Sequence, residues 1–158
     1  MIKIKIKLLS GGKLPVKATI DAACYDVYAR EIEVDAGYIN AKIKLGFSTE
    51  IPKGYKGVLV PRSSFTNKGW VMANSPGQID SDYRGEWMMK LESLDSTGFD
   101  FPFNEGDRVG QMYFEKVLDT ELEITEDLSE TERGDGGFGS TGKSAEQLFI
   151  LRENETKN

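Results

Sequence analysis

Ile2, Ile4, Ile6 and Leu8 alternate with Lys3, Lys5 and Lys7 at the start of the chain. A period of two puts the apolar side chains on one face and the lysines on the other when the backbone is extended. Comparable short runs recur at residues 32–34, 41–49, 57–60, 87–91 and 109–117. Turn residues part them at Ser10-Gly11-Gly12, Ala36-Gly37, Pro52-Lys53-Gly54 and Asn104-Glu105-Gly106-Asp107. Many short strands with that punctuation suit an all-β sandwich or barrel-like fold. Helix is scarce: one short turn is expected within residues 63–69, and a weaker helical pattern covers 144–152. At 158 residues the chain fits one domain able to bury a core.

Charge and composition then exclude whole classes of chemistry. Twenty basic against 26 acidic residues give a net charge of −6, which argues against a nucleic-acid partner but leaves room for a small anion held by a few arginines. No run reaches the ~18–20 apolar residues of a membrane span, and the alternating start lacks the apolar block of a signal peptide. An intracellular protein with no membrane partner is expected. The single cysteine, Cys24, cannot form an internal disulfide, in keeping with a reducing compartment. Without any histidine, Ser-His-Asp and Cys-His nucleophiles and histidine-ligated zinc are ruled out. A general base must be a carboxylate, a lysine, a tyrosine or Cys24, and a metal must be a hard, oxygen-bound ion such as Mg²⁺.

The segment Arg133-Gly134-Asp135-Gly136-Gly137-Phe138-Gly139-Ser140-Thr141-Gly142 is too rich in glycine to pack as core. Glycine lets backbone N–H groups approach phosphate oxygens closely. Ser140 and Thr141 add hydroxyls, Arg133 a guanidinium for a terminal phosphate and Phe138 a face for a base. A nucleotide-closing arm and a flexible linker both satisfy this composition. The acidic stretch from Asp119 to Asp135 reads as a solvated connector to it, within which Leu122 and Ile124 alternate in a way that admits an edge strand.

Gly77-Gln78-Ile79-Asp80-Ser81-Asp82-Tyr83-Arg84-Gly85-Glu86 reads as a tight hairpin with a polar tip. Pro61-Arg62-Ser63-Ser64-Phe65 follows an apolar strand. It is either an ordinary serine cap or an anion site built from amides, hydroxyls and Arg62. Ala22-Ala23-Cys24-Tyr25-Asp26-Val27-Tyr28-Ala29 and Gly106-Asp107-Arg108-Val109-Gly110-Gln111-Met112 each read as a strand with its turn.

In order, these five segments resemble the five motifs of the trimeric dUTPase family, the dUTP nucleotidohydrolases. The resemblance spans residues 22–142. It implies a distorted jelly-roll of the dUTPase-like β-clip type with one short helix, a homotrimer with shared active sites, and Mg²⁺-assisted cleavage of dUTP to dUMP and pyrophosphate. By the same resemblance Asp80 orients and deprotonates the attacking water, and Tyr83 packs under the deoxyribose and refuses a 2′-hydroxyl. Asn74, Gly77, Gln78, Ile79 and Met88 meet the uracil edge, and Asp26 holds Mg²⁺ through water. Arg62, Ser63 and Ser64 bind the inner phosphates, with Asp82 steadying Arg62. Gln111 and Arg133 reach the outer phosphate region, Phe138 covers the base, and Gly139, Ser140 and Thr141 complete the closing arm.

That arrangement divides the chain into a β domain (1–132), the arm (133–142) and a tail (143–158). Cys24 and Ser64 stand where the family usually has glycine. The tail, with Leu148-Phe149-Ile150-Leu151, extends past the arm and is expected to dock on its own trimer or to meet a protein partner. A dCTP deaminase of the same fold and a dUTP-controlled regulatory binding protein are the alternative functions.

Overall fold

The expected alternation becomes ten antiparallel strands among the described residues: β1 (Lys5–Leu8), β2 (Tyr25–Tyr28), β3 (Glu31–Val34), β4 (Asn40–Lys44), β5 (Phe47–Glu50), β6 (Tyr55–Pro61), β7 (Trp70–Met72), β8 (Gly77–Ile79), β9 (Met88–Ser93) and β10 (Arg108–Lys116). Among the described residues the one helical element is a 3₁₀ turn at Ser63–Phe65. The structure, a computed structural model, describes residues 2–94 and 100–137. The strands make a pair, β1-β5, and two four-stranded sheets ordered β2-β10-β6-β8 and β3-β4-β9-β7. This is the all-β architecture expected, and no helix among the described residues is long and apolar enough to cross a membrane.

Residues 41–49, read as a single strand, fold as two. Gly46 adopts φ +76°, a conformation open to glycine at little cost, and the chain turns there from β4 into β5. Residues 77–86 are also not a hairpin with paired arms. The turn forms, with Tyr83 N–H donating to the Asp80 carbonyl at 3.2 Å, but β8 pairs with β6 while β9 pairs with β4 and β7. The returning arm is fastened elsewhere: Trp87 N–H donates to the Phe47 carbonyl at 2.9 Å, and Leu45 N–H to the Trp87 carbonyl at 3.0 Å. Two short strands bounded by turns, β7 and β8, escaped the periodicity altogether.

Trp70, Trp87, Phe47, Ile43, Leu45, Leu59, Met89, Leu91, Val27 and Val109 are fully buried and draw on both large sheets. Trp87 lies 5.3 Å from Phe47 between ring centroids, and its indole N–H donates to Thr49 Oγ1 at 3.1 Å, so the ring is buried with its polar atom satisfied. The apolar face of β1 is not core. Ile2 and Leu8 are exposed and Ile4 and Ile6 half-buried; the isoleucines line an open groove of about 410 Å³ with Leu14, Tyr25, Met112 and Phe114.

By internal contacts the chain divides into residues 1–119 and 120–158. In the second unit Leu122, Ile124 and Leu128 are almost wholly exposed. No strand forms among its described residues, so the edge strand anticipated at Leu122 and Ile124 is absent there: a charge at nearly every second position opposes burial of the leucines. A turn closes at Thr131–Gly136, where Gly134 N–H donates to Thr131 Oγ1 at 3.1 Å and Arg133 Nε to the Gly136 carbonyl at 3.0 Å. Phe138, Gly139, Ser140, Thr141, the helical pattern at 144–152 and the tail lie outside the described residues.

Candidate active site

Asp26 is the centre of the first cluster. It is 3 % exposed, in the middle of β2, and its backbone is also bridged to Val16, with Asp26 N–H donating to the Val16 carbonyl at 2.8 Å. Its Oδ1 accepts from Gln111 Nε2 at 3.1 Å and pairs with Arg62 Nε at 3.3 Å, and its Oδ2 accepts from an Arg108 guanidinium nitrogen at 3.0 Å. Strand register explains the first contact, because Gln111 lies directly opposite Asp26 in the β2–β10 ladder. A bulge between Arg108 and Gly110 explains another: an extra residue re-aims the side chain beside it, and Arg108 swings onto the carboxylate. Arg62, at the end of β6, also donates to the Arg108 carbonyl at 3.3 Å.

Two guanidinia on one carboxylate leave a positive surplus. It faces a cleft of about 290 Å³ lined by Arg62, Ser64, Lys68, Phe103, Asp107 and Arg108. Ser63 and Ser64 are exposed in the 3₁₀ turn that follows Arg62, and Phe65 behind them is buried against Phe103 at 4.8 Å between centroids. The serines are thus presented outward from an anchored aromatic, beside fixed cations. Charge-assisted donors of this kind suit phosphate oxygens.

The second cluster lies on the connection from β8 to β9. Asp80, Asp82, Tyr83 and Arg84 are exposed there. Arg84 donates to the Ser81 carbonyl at 2.7 Å and Tyr83 Oη to the Glu86 carbonyl at 3.2 Å. The stem is held by Glu86, whose carboxylate accepts from Arg30 Nε at 2.9 Å, a second Arg30 nitrogen at 3.0 Å and Gly46 N–H at 2.8 Å. Burial pushes the Glu86 carboxyl up, but the Arg30 and Gly46 hydrogen bonds and the charges of Arg30 and Lys44 outweigh it and leave it below the usual range. Glu86 in turn raises the Arg30 guanidinium, chiefly through their hydrogen bond.

Gly77, Gln78 and Ile79 form β8, the terminal strand of its sheet, and an edge strand presents a row of outward N–H and C=O groups. Lys56 Nζ donates to Gln78 Oε1 at 2.8 Å. Asn74 is exposed in the turn after β7, and Met88 opens β9 opposite Lys44, in the other sheet.

The structure brings Asp26, Arg62, Ser63, Ser64 and Gln111 to one neighbourhood and Gln78, Ile79, Asp80, Asp82 and Tyr83 to another. In one chain they are apart. Ile79 pairs with Gly57, so Asp80 emerges near the start of β6, whereas Arg62 leaves its far end. At ~3.3 Å per residue the separation is roughly 15–20 Å. Within the chain Arg62 is held by Asp26, where Asp82 had been expected to steady it. Arg133 belongs to the second unit and makes the local turn described above.

Arg108, Glu86 and Arg30 are the residues that sequence reasoning left without a role. Arg108 and Glu86 fell inside motif segments as charges beside the assigned positions, a usable signal. Arg30 carried none, since only the fold brings it to Glu86.

Among the described residues no three acidic, histidine or cysteine side chains gather as a metal cage. Asp26 fits a more limited duty. A carboxylate has about four lone-pair directions, three are taken here, and one remains to accept from a water of an ion that keeps its hydration shell and takes its other ligands from phosphate.

Residues 11–142 match the family model described as dUTPase. The deoxyuridine 5′-triphosphate nucleotidohydrolase of Yarrowia lipolytica is 36% identical over 159 residues, covering 99% of each chain. The dUTPase of Staphylococcus bacteriophage 80alpha, solved with dUPNHPP, superposes with a TM-score of 0.77 at 25% identity, over 90% of this chain and 100% of that one. A dUTPase variant from phage phi11 of S. aureus, described for its coordination of a structural Mg(II) ion, has the same fold with a TM-score of 0.67 at 24% identity, over 80% of this chain and 99% of that one. A trimer is consistent with this family. Motifs, fold and relatives agree, and the chain belongs to the dUTPase family.

Proposed function

We propose that this protein hydrolyses dUTP to dUMP and pyrophosphate, removing dUTP and supplying the precursor of dTTP, as an intracellular homotrimer whose active sites are built from more than one chain. The observation that carries the reading is the cleft beside Asp26, where Arg62 and Arg108 are pinned on one buried carboxylate and turned toward Ser64 and Lys68. Fixed cations and hydroxyls there match a polyphosphate and cost little reorganisation when charge shifts to the leaving pyrophosphate.

Asp80 takes the proton of the attacking water. Exposed on a turn, with no covalent step required, it has only to hold that water in line with the α-phosphorus and accept its proton. Tyr83 lies beneath the deoxyribose, and its rigid ring leaves no room for a 2′-hydroxyl. The outward backbone of Gly77, Gln78 and Ile79, with Asn74 and Met88 nearby, pairs with the uracil edge. An edge strand offers donors and acceptors in fixed alternation, so cytosine leaves one of them unpaired.

Arg62, Ser63 and Ser64 hold the inner phosphates, and Gln111 with Arg133 reaches the outer phosphate region. Asp26 would hold Mg²⁺ through water, and the ion would supply neutralisation of phosphate charge. Arg133 and the arm through Phe138, Gly139, Ser140 and Thr141 close over base and outer phosphate and exclude bulk water. Residues 143–158 dock on the trimer or engage a protein partner.

The roughly 15–20 Å between Asp80 and Arg62 supports sharing, because a single α-phosphate cannot reach both ends of β6. The test is a panel of dUTP, UTP, dCTP and dTTP with Mg²⁺, scored for pyrophosphate and for ammonia. Pyrophosphate from dUTP alone is expected. Ammonia from dCTP makes the protein a deaminase, and binding of dUTP without either product makes it a regulatory binder.

A further inference from the structure

The Tyr83 ring lies across Gly85. A methyl group on Gly85 would fall inside van der Waals contact of the Tyr83 hydroxyl oxygen and Cζ and 2.9 Å from Cε2, and these three nearest atoms all belong to that one ring. The Gly85 backbone is not left-handed, so alanine suits the main chain there and the nearest atoms it meets are the tyrosine's. The ring's outer end is tied too, with Tyr83 Oη donating to the Glu86 carbonyl at 3.2 Å. Glu86 itself is locked by two guanidinium nitrogens of Arg30 and by Gly46 N–H.

We propose that Gly85 is a positioning residue for sugar selection: its bare Cα is the seat that sets the height of the Tyr83 ring against the bound nucleotide's sugar. The inference rests on the reading of Tyr83 as the group beneath the deoxyribose. Excluding a hydroxyl by contact depends on ring placement at the scale of a single atom, because a methyl on the seat displaces the wall by about one methyl radius and spoils its fit to the deoxyribose it is set to meet. Tyr83 is 39 % exposed, so a methyl at position 85 pushes the ring into solvent without opening the core. Selectivity therefore changes while the fold remains.

The experiment compares wild type, Gly85→Ala, Tyr83→Ala and the double variant in kcat/KM for dUTP and for UTP, with thermal melting of each. Gly85→Ala is expected to lower the dUTP-to-UTP preference by about tenfold or more, with a melting temperature within a few degrees of wild type. In the Tyr83→Ala background the Gly85→Ala change is expected to do nothing further, since the ring it displaces is gone; that non-additivity is what a general structural defect lacks.

An unaltered preference in Gly85→Ala, or a further fall in the double variant, overturns the proposal. If Gly85→Ala fails to fold, folding restored in the double variant supports the seat and an unfolded double variant refutes it. A wild type that does not prefer dUTP to UTP removes the parent reading and the seat together. A selective wild type with an equally selective Gly85→Ala removes the seat alone.

Discussion

Asp80 and Arg62 sit at opposite ends of β6, the one carried in by the β8 ladder beside Gly57 and the other leaving after Pro61. One strand thus separates the proposed base for water from a guanidinium pinned on Asp26 by roughly 15–20 Å. The proposed homotrimer with shared sites resolves the separation, because head-to-tail packing of identical chains would set one end of a strand beside the other end of its neighbour's.

Asp80→Asn keeps the shape of the turn and removes the proposed base. The kcat for dUTP is expected to fall by about 10²–10⁴-fold, with dUTP affinity within a few-fold of wild type and an unchanged melting temperature, since Asp80 is exposed. Steady-state pyrophosphate release and calorimetric binding read both. A kcat within about threefold of wild type removes Asp80 from the role.

Asp26→Ala leaves the Arg62 and Arg108 guanidinia close together without their shared anion. Removing one member of a buried ionic cluster costs roughly 2–4 kcal/mol, which urea unfolding measures directly. Arg108→Ala is milder for stability, because that side chain is half exposed, but it is expected to raise KM for dUTP with the larger share of kcat retained. Equal stability of Asp26→Ala and wild type contradicts the cluster's structural part.

Glu86 gives the fold an acid limb. Its carboxyl lies below its ordinary 4.5 in the folded chain: burial raises it, and Arg30, Gly46 N–H and Lys44 together overcome that effect. A depressed folded pKa contributes stability that is full above the unfolded value and is lost as pH falls through the folded one. Glu86→Gln is therefore expected to cost roughly 1–3 kcal/mol at neutral pH. Its unfolding curve approaches wild type only as pH falls below the ordinary 4.5 and through the depressed folded value. Parallel curves at all pH values contradict the assignment.

What could be read from residues alone followed from periodicity and punctuation. The Ile-Lys alternation, the apolar runs and the Gly-Asp turns located most strands, and the segment holding Asp80 and Tyr83 stood out because a plain turn needs neither an aromatic nor Arg84. The break at Gly46 was hidden inside a continuous apolar run, since the cause is a backbone angle. The parting of the two arms at 77–86 was equally hidden: the fasteners of the returning arm, Glu86 on Arg30 and Trp87 on Phe47, join positions about 40 or more residues apart in sequence. Arg108 became a site residue through a bulge, which composition does not reveal.

Mixed trimers test the central claim most directly. Asp80→Asn and Arg62→Ala subunits, each inactive alone, are refolded together and assayed for pyrophosphate from dUTP. If Asp80 and Arg62 in one site come from different chains, random assembly restores about one quarter of wild-type activity, because that fraction of sites receives an intact copy of both. A mixture as inactive as its two parents contradicts the account.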